Sequence, residues 1–250
     1  MKNSETKSRL EDKITDYSHD SLRKRAKYVC NIHNIDKGLV KEIGAGCYPS
    51  IFKAVKELPQ NERRLLVSDF YSGFPNGKDL GKYMNRILEI NWFKPERNYT
   101  KKEITPYIRE IESAFKLEEH PILITNSWNV ARDVDWGVAL NAALYANENA
   151  AWDATLGFAG NFARNAAGDV AGYAALNAAL YANENAALDV AGYAAACARY
   201  IIAQDIPSLK EEYPINPFEK LIRVYEKGLW PAGISSEGRF IVLHPKVNKK

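Results

Sequence analysis

Thirteen residues, Ala139-Leu-Asn-Ala-Ala-Leu-Tyr-Ala-Asn-Glu-Asn-Ala-Ala151, recur without change at Ala175–Ala187, 36 positions later. The register extends beyond the identity: Asp133-Val matches Asp169-Val, and Asp153 matches Asp189. An exact repeat of this period is the mark of stacked supersecondary units. About a third of residues 129–204 are Ala, and no Pro stands between Pro121 and Pro207. Ala has the highest helix propensity, so the region is expected to be helical. Sustained heptads are absent, which excludes one long coiled coil. The Asn-Glu-Asn triplets at 147–149 and 183–185 are natural breaks, with Asn149 and Asn185 able to cap the following helix. Asn165 to Gly168 offers the other break. The expected layout is four helices of roughly 15–18 residues, paired as two αα-hairpins.

Charge divides the 250-residue chain into regions. Residues 1–120 carry 23 Lys and Arg against 18 Asp and Glu, residues 121–205 carry 3 against 8, and residues 206–250 carry 8 against 5. Three parts are therefore expected: an N-terminal α/β part at 1–125, the Ala-rich repeats at 126–206, and a C-terminal helix and β-hairpin at 207–250. The fold class is α-rich mixed α/β. The small basic excess does not by itself indicate nucleic acid. No run approaches 18 uninterrupted apolar residues, so no membrane span is expected. The polar N-terminus lacks a secretory core, which points to a cytoplasmic chain. Cys30, Cys47 and Cys197 are odd in number and far apart, against a disulfide framework. Cys30 and His33 form a lone C-x-x-H without the second pair that a zinc site needs. No metal site is expected.

In the N-terminal part, Ser18 to Ile35 reads as a helix capped by Asp20 or Ser21, with Leu22, Ala26 and Val29 on its buried face. The run Arg23, Lys24, Arg25, Lys27 is expected on a solvated face or as a phosphate-contacting patch. Leu39 to Ile43 reads as a short strand, Gly44 and Gly46 as a tight turn, and Ser50 to Leu58 as a helix with Pro49 at its start. Arg64 to Ser68 reads as a second strand ending at Asp69. Asp69 to Lys82 reads as a loop crowded by Phe70, Tyr71 and Phe74. Lys78 to Trp92 is helical, with Leu80, Met84 and Ile87 or Leu88 inward. Thr100 and Glu103 form a capping box, and Thr105-Pro106 starts a helix running to Leu117 with Ile108, Ile111 and Phe115 buried. His120 to Asn126 is a candidate third strand.

Strand, glycine turn, helix, strand and acid, in that order, can bring a backbone close to a ligand and set an acid on its ribose. The segment Val40-Lys-Glu-Ile-Gly-Ala-Gly46 resembles the first motif of class I S-adenosylmethionine-dependent methyltransferases. That resemblance, over residues 36–70, implies a partial Rossmann-like N-terminal region with S-adenosylmethionine as cofactor. It implies cofactor contacts from Glu42, Gly44 and Gly46, with Asp69 on the ribose. The same residues also suit a helix-turn-helix, whose second helix would offer Lys53 and Lys56 to DNA, or an ordinary turn between core elements.

The C-terminal part opens with a helix capped at Asn216-Pro217-Phe218-Glu219 and ended by Gly228. Trp230–Ile234 and Arg239–Leu243 then form a β-hairpin, and His244 is expected to be structural. Residues 130–205 resemble Ala-rich helical repeats of prokaryotic and phage proteins. Tyr145 with Tyr181, Asn147 with Asn183, and Glu148 with Glu184 would recur on one side of the stack, as a surface for a protein partner or for self-association. Three functions follow as expectations. The first is a methyltransferase-like S-adenosylmethionine-binding protein with a helical interaction module. The second is a non-catalytic helical-repeat interaction protein, and the third is a helix-turn-helix DNA-binding regulator.

Overall fold

The structure, a computed structural model, describes residues 10, 12–16, 18–36, 38, 41–43, 48–50, 58–132, 134 and 184–247. Helix α1 (His19–Ile32) begins at Ser18, whose hydroxyl accepts from the Ser21 N–H at 3.3 Å. Asp20, expected as the cap, lies instead in the first turn, where its negative charge favours the helix N-terminus. Leu22, Ala26, Val29 and Cys30 form its buried stripe. Asn34, at φ +55°, turns the chain out of the helix. Strands β1 (Lys41–Ile43) and β2 (Tyr48–Ser50) follow, paired antiparallel with Glu42 opposite Pro49.

Helix α2 (Gln60–Tyr71) contains the segment Arg64–Ser68 that the apolar run marks as a strand. Its buried residues Leu66, Val67, Phe70 and Tyr71 are spaced for one helical face, and Leu65 points outward at 59% exposure. Four or five apolar residues in a row suit either period, and the partner surface decides. Here the decision comes from α1 and from helix α3 (Gly77–Glu89), between which α2 packs.

Arg25 ties these elements together. Its guanidinium donates to the carbonyls of Phe70 at 2.7 Å, Asp69 at 2.9 Å and Leu10 at 3.0 Å, and to the Ser72 hydroxyl at 3.0 Å. Two of those carbonyls belong to the last turn of α2, where intrahelical donors run out. Arg25 therefore caps a neighbouring helix and does not join the solvated basic run. Phe70, Tyr71 and Phe74 pack ring on ring, 5.0–5.5 Å apart. The expected loop 69–82 is thus the end of α2, a five-residue turn with Gly73 and Phe74 buried, and the start of α3.

Helix α4 (Lys101–Ala114) carries the capping box: Thr100 Oγ1 accepts from the Glu103 N–H, and the Glu103 carboxylate accepts from the Thr100 N–H at 2.8 Å. It begins at residue 101, so Pro106 stands within it and not at its start. Strand β3 (Ile122–Thr125), short helix α5 (Trp128–Arg132), helix α6 (Glu184–Ala203), helix α7 (Pro207–Glu212), helix α8 (Phe218–Tyr225) and strands β4 (Trp230–Ile234) and β5 (Phe240–Leu243) complete the described chain. The sheet order is β3-β5-β4, with β3 parallel and β4 antiparallel to β5. Every residue of the central strand β5 is buried. Gly228, at φ +72°, ends the α8 segment where a Cβ would stand 2.3 Å from Lys94 C and Pro95 N. The architecture is α-rich mixed α/β, and one hydrophobic core runs through all three sequence regions.

Helix α6 holds Asn185, expected as a helix cap, within its helical run, and it packs on α3 and α8. Residues 186–203 are long and apolar enough to cross a membrane, yet 67% of that window is buried inside the protein. Its small side chains let neighbours reach its backbone. The Tyr83 hydroxyl donates to the Ala194 carbonyl at 3.3 Å, Asn76 Nδ2 to that of Ile201 at 2.9 Å, and Asn216 Nδ2 to that of Cys197 at 3.3 Å. The other three expected repeat helices lie outside the described residues. Arg86 of α3 pairs with Glu219 and Glu226, and Glu110 of α4 with Lys220 at 2.8 Å, fastening α8 on both sides.

Two glycines test this packing in opposite directions. A Cβ at Gly77 would stand 1.9 Å from the Tyr71 carbonyl oxygen, whereas one at Gly192, exposed on α6, meets nothing within 4 Å. Urea denaturation is expected to show Gly77→Ala destabilised by more than about 2 kcal/mol, and Gly192→Ala stabilised by about 0.5–1 kcal/mol.

Candidate functional site

The residues marked for the cofactor do not assemble as the strand-turn-helix-strand order requires. Residues 48–50 form a strand, so the chain leaving Gly46 enters a hairpin and not the N-terminus of a helix. A glycine-containing loop of a few residues closes a hairpin as readily as it joins a strand to a helix, which explains the misreading. Glu42 lies on β1, while Gly44, Gly46 and residues 51–57, with Lys53 and Lys56, lie outside the described residues. A helix-turn-helix over 39–58 is likewise replaced in its first half by β1 and β2. Asp69 sits in the last turn of α2, not at a strand end. The paired tyrosines, asparagines and glutamates of the repeats also fall outside the described residues, save the backbone of Glu184.

Asp69 does meet a functional group that the sequence singled out for another reason. Its Oδ2 stands 2.8 Å from His33 Nε2, with the two side chains 18% and 33% exposed for His33 and Asp69. A carboxylate accepts only, so Nε2 carries the proton when the ring is neutral and Nδ1 keeps its lone pair. Such an oriented imidazole can exchange a proton. Its C-x-x-H companion, Cys30, is buried, and burial raises its thiol above the ordinary value, which disfavours a thiolate. Among the described residues, no group of three or more His, Cys, Asp and Glu could hold a metal ion.

A second polar cluster joins α4 to the segment before β3. Glu112 is 1% exposed. Its carboxylate accepts from the His120 backbone N–H at 2.9 Å, stands 3.1 Å from His120 Nδ1, and pairs with Arg109. A buried carboxylate needs this many partners. The effect is to lock the last turn of α4 to the entry of β3. Arg109 also reaches Glu119 at 3.2 Å.

Beside this cluster opens a groove of about 680 Å³, between the second half of α4 and the segment from Glu212 to Ile215, within the size range of ligand sites. Lys116 stands at its edge with φ +56°, its ammonium 4.8 Å from the centre of the Tyr213 ring. Sequence reasoning missed this place, although two signals were present. Glu112 is a charge beside the apolar stripe Ile108, Ile111 and Phe115. Lys116 occupies the position just past a helix end that glycine or asparagine usually takes. A further cleft, of about 480 Å³, is walled by ion pairs. Arg64 holds Glu89 at 2.5 Å and lowers its carboxyl pKa, and Arg86 holds Glu226.

No family model, curated protein or solved structure matches this chain.

The assignment of Asp69 can be checked directly. Replacing it with Ala is expected to cost less than about 1 kcal/mol, because the His33 pair is partly solvated and the residue 69 carbonyl remains for Arg25. Calorimetric titration of S-adenosylmethionine should give the same heat for wild type and Asp69→Ala. A heat seen only in wild type would return Asp69 to the ribose.

Proposed function

We propose that this protein is a non-catalytic interaction protein, in which residues 126–206 form the contact surface and the remaining chain is the platform that holds it. The observation that carries this is the seating of α6. Three side chains from two other helical segments grip its backbone at Ala194, Cys197 and Ile201. In its N-terminal half two residues face outward: Leu188 is 63% exposed and Gly192 is exposed. The described end of the repeat region is thus built rigidly into the core while an apolar residue remains on its surface. An anchored surface of this kind keeps the entropy loss of association small.

Three polar groups of the described residues support the same reading. Arg25 caps α2, Arg86 fastens α8, and Glu112 holds the start of β3. Each is already engaged in holding elements together. Two repeats also bury less than a free-standing stack needs, so the outer face of the duplication gains from contact with a second copy.

Light scattering over a range of concentrations tests this. The apparent mass is expected to rise above the 28.2 kDa of one chain, and Leu188→Asp should return it to that value without lowering Tm. A mass of one chain at every concentration, in both proteins, would overturn self-association.

A further inference from the structure

We propose that the groove between α4 and the segment joining α7 to α8 binds a small amphipathic anion: an apolar body carrying one acidic head group. This site is separate from the repeat surface and does not depend on it. Its walls are mainly apolar, with Ala114, Pro214 and the Tyr213 ring inside and Ile215, 65% exposed, at the mouth. A volume of about 680 Å³ accommodates a body of ten or more carbon atoms.

The charges of the lining select the head group. Three cations, Arg109, Lys116 and Lys220, face two carboxylates, Glu110 and Glu212. Arg109 is held by Glu112 and Glu119, and Lys220 by Glu110 at 2.8 Å. Lys116 pairs with no carboxylate among the described residues; its contact is the face of Tyr213. The two charges of the lining outside an ion pair are Lys116, beside the apolar wall, and Glu212, which hydrogen-bonds the Tyr213 side chain. The lining as a whole carries one net positive charge, which complements one negative head. The negative end of α4 does not oppose it strongly. The Lys116 N–H donates to the Ser113 carbonyl at 3.1 Å, and the Leu117 N–H to that of Glu112 at 2.8 Å.

Lys116 is also placed where a lysine is out of keeping. Its left-handed backbone favours glycine, yet a long cationic side chain stands there. The opposite wall is set in advance: the Tyr200 hydroxyl donates to the Tyr213 carbonyl at 2.6 Å. That bond, together with the missing N–H of Pro214, leaves little backbone for a peptide strand to pair with. A small molecule fits this groove better than an extended chain does.

The test is a fluorescence titration of the full chain with 8-anilinonaphthalene-1-sulfonate, an aromatic body with one sulfonate. Saturable binding of one dye per chain is expected. Lys116→Arg should retain it. Lys116→Gln should weaken it about tenfold, the loss of one charge-assisted contact. Lys116→Gly should weaken it equally while raising Tm by about 2 °C, since glycine relieves the backbone. That pairing separates binding from folding. Absence of saturable binding, or equal binding by wild type and Lys116→Gln, would overturn the proposal.

Discussion

The ends of helices leave carbonyl groups without partners, and this structure satisfies them from other elements. Arg25 is the clearest case. One guanidinium on α1 takes the last-turn carbonyls of α2, the Ser72 hydroxyl at the following turn, and the carbonyl of Leu10. It also lies over the Phe74 ring, 5.8 Å from its centre. A charge brought that far out of water needs several acceptors in good geometry, and these acceptors exist only when α1, α2 and the turn are all in place. The N-terminal helices are thereby coupled: none of them can shift without leaving a half-buried charge short of partners.

On α6 Asn76 likewise takes the last-turn carbonyl of Ile201, while Tyr83 and Asn216 reach the mid-helix carbonyls of Ala194 and Cys197. Here the enabling property is small side chains. An alanine-rich surface contributes less hydrophobic burial per residue than leucine would, but it lets polar side chains come down to the helix backbone. The interior of the fold therefore combines ordinary apolar packing in α3, α4, α8 and β5 with close, hydrogen-bonded seating of α6. The duplication and the platform meet along that helix, which is why an interaction role can be argued from its geometry.

Elements whose signals are local were legible. The capping box at Thr100 and Glu103 needs four residues only, and it forms. The C-terminal hairpin, the strand at 122–125 and the helix ended by Gly228 also follow from local punctuation. The Arg64–Ser68 run was not legible, because its apolar residues satisfy both a strand and one face of a helix. Nor was the turn at Gly44–Gly46, since glycine permits a hairpin and a strand-to-helix turn alike. The candidate site was hidden for a different reason. Lys116 and Tyr213 are almost a hundred positions apart, and nothing near either residue announces the other.

The sequence by itself determined that residues 186–203 are helical, that the chain is α-rich with a small β component, and where several helices start and stop. These properties depend on propensity, caps and turn residues, which act over a few positions. Tertiary structure decided that β1 turns back on β2, that residues 60–71 are a helix, and that Asp69 faces His33. It also decided that β3 joins β5, 118 positions further along the chain, and that a groove opens beside Lys116. Each of those outcomes rests on which surfaces meet. Burial and hydrogen bonding between distant residues then outweigh local preferences that differ by less than about 1 kcal/mol per residue.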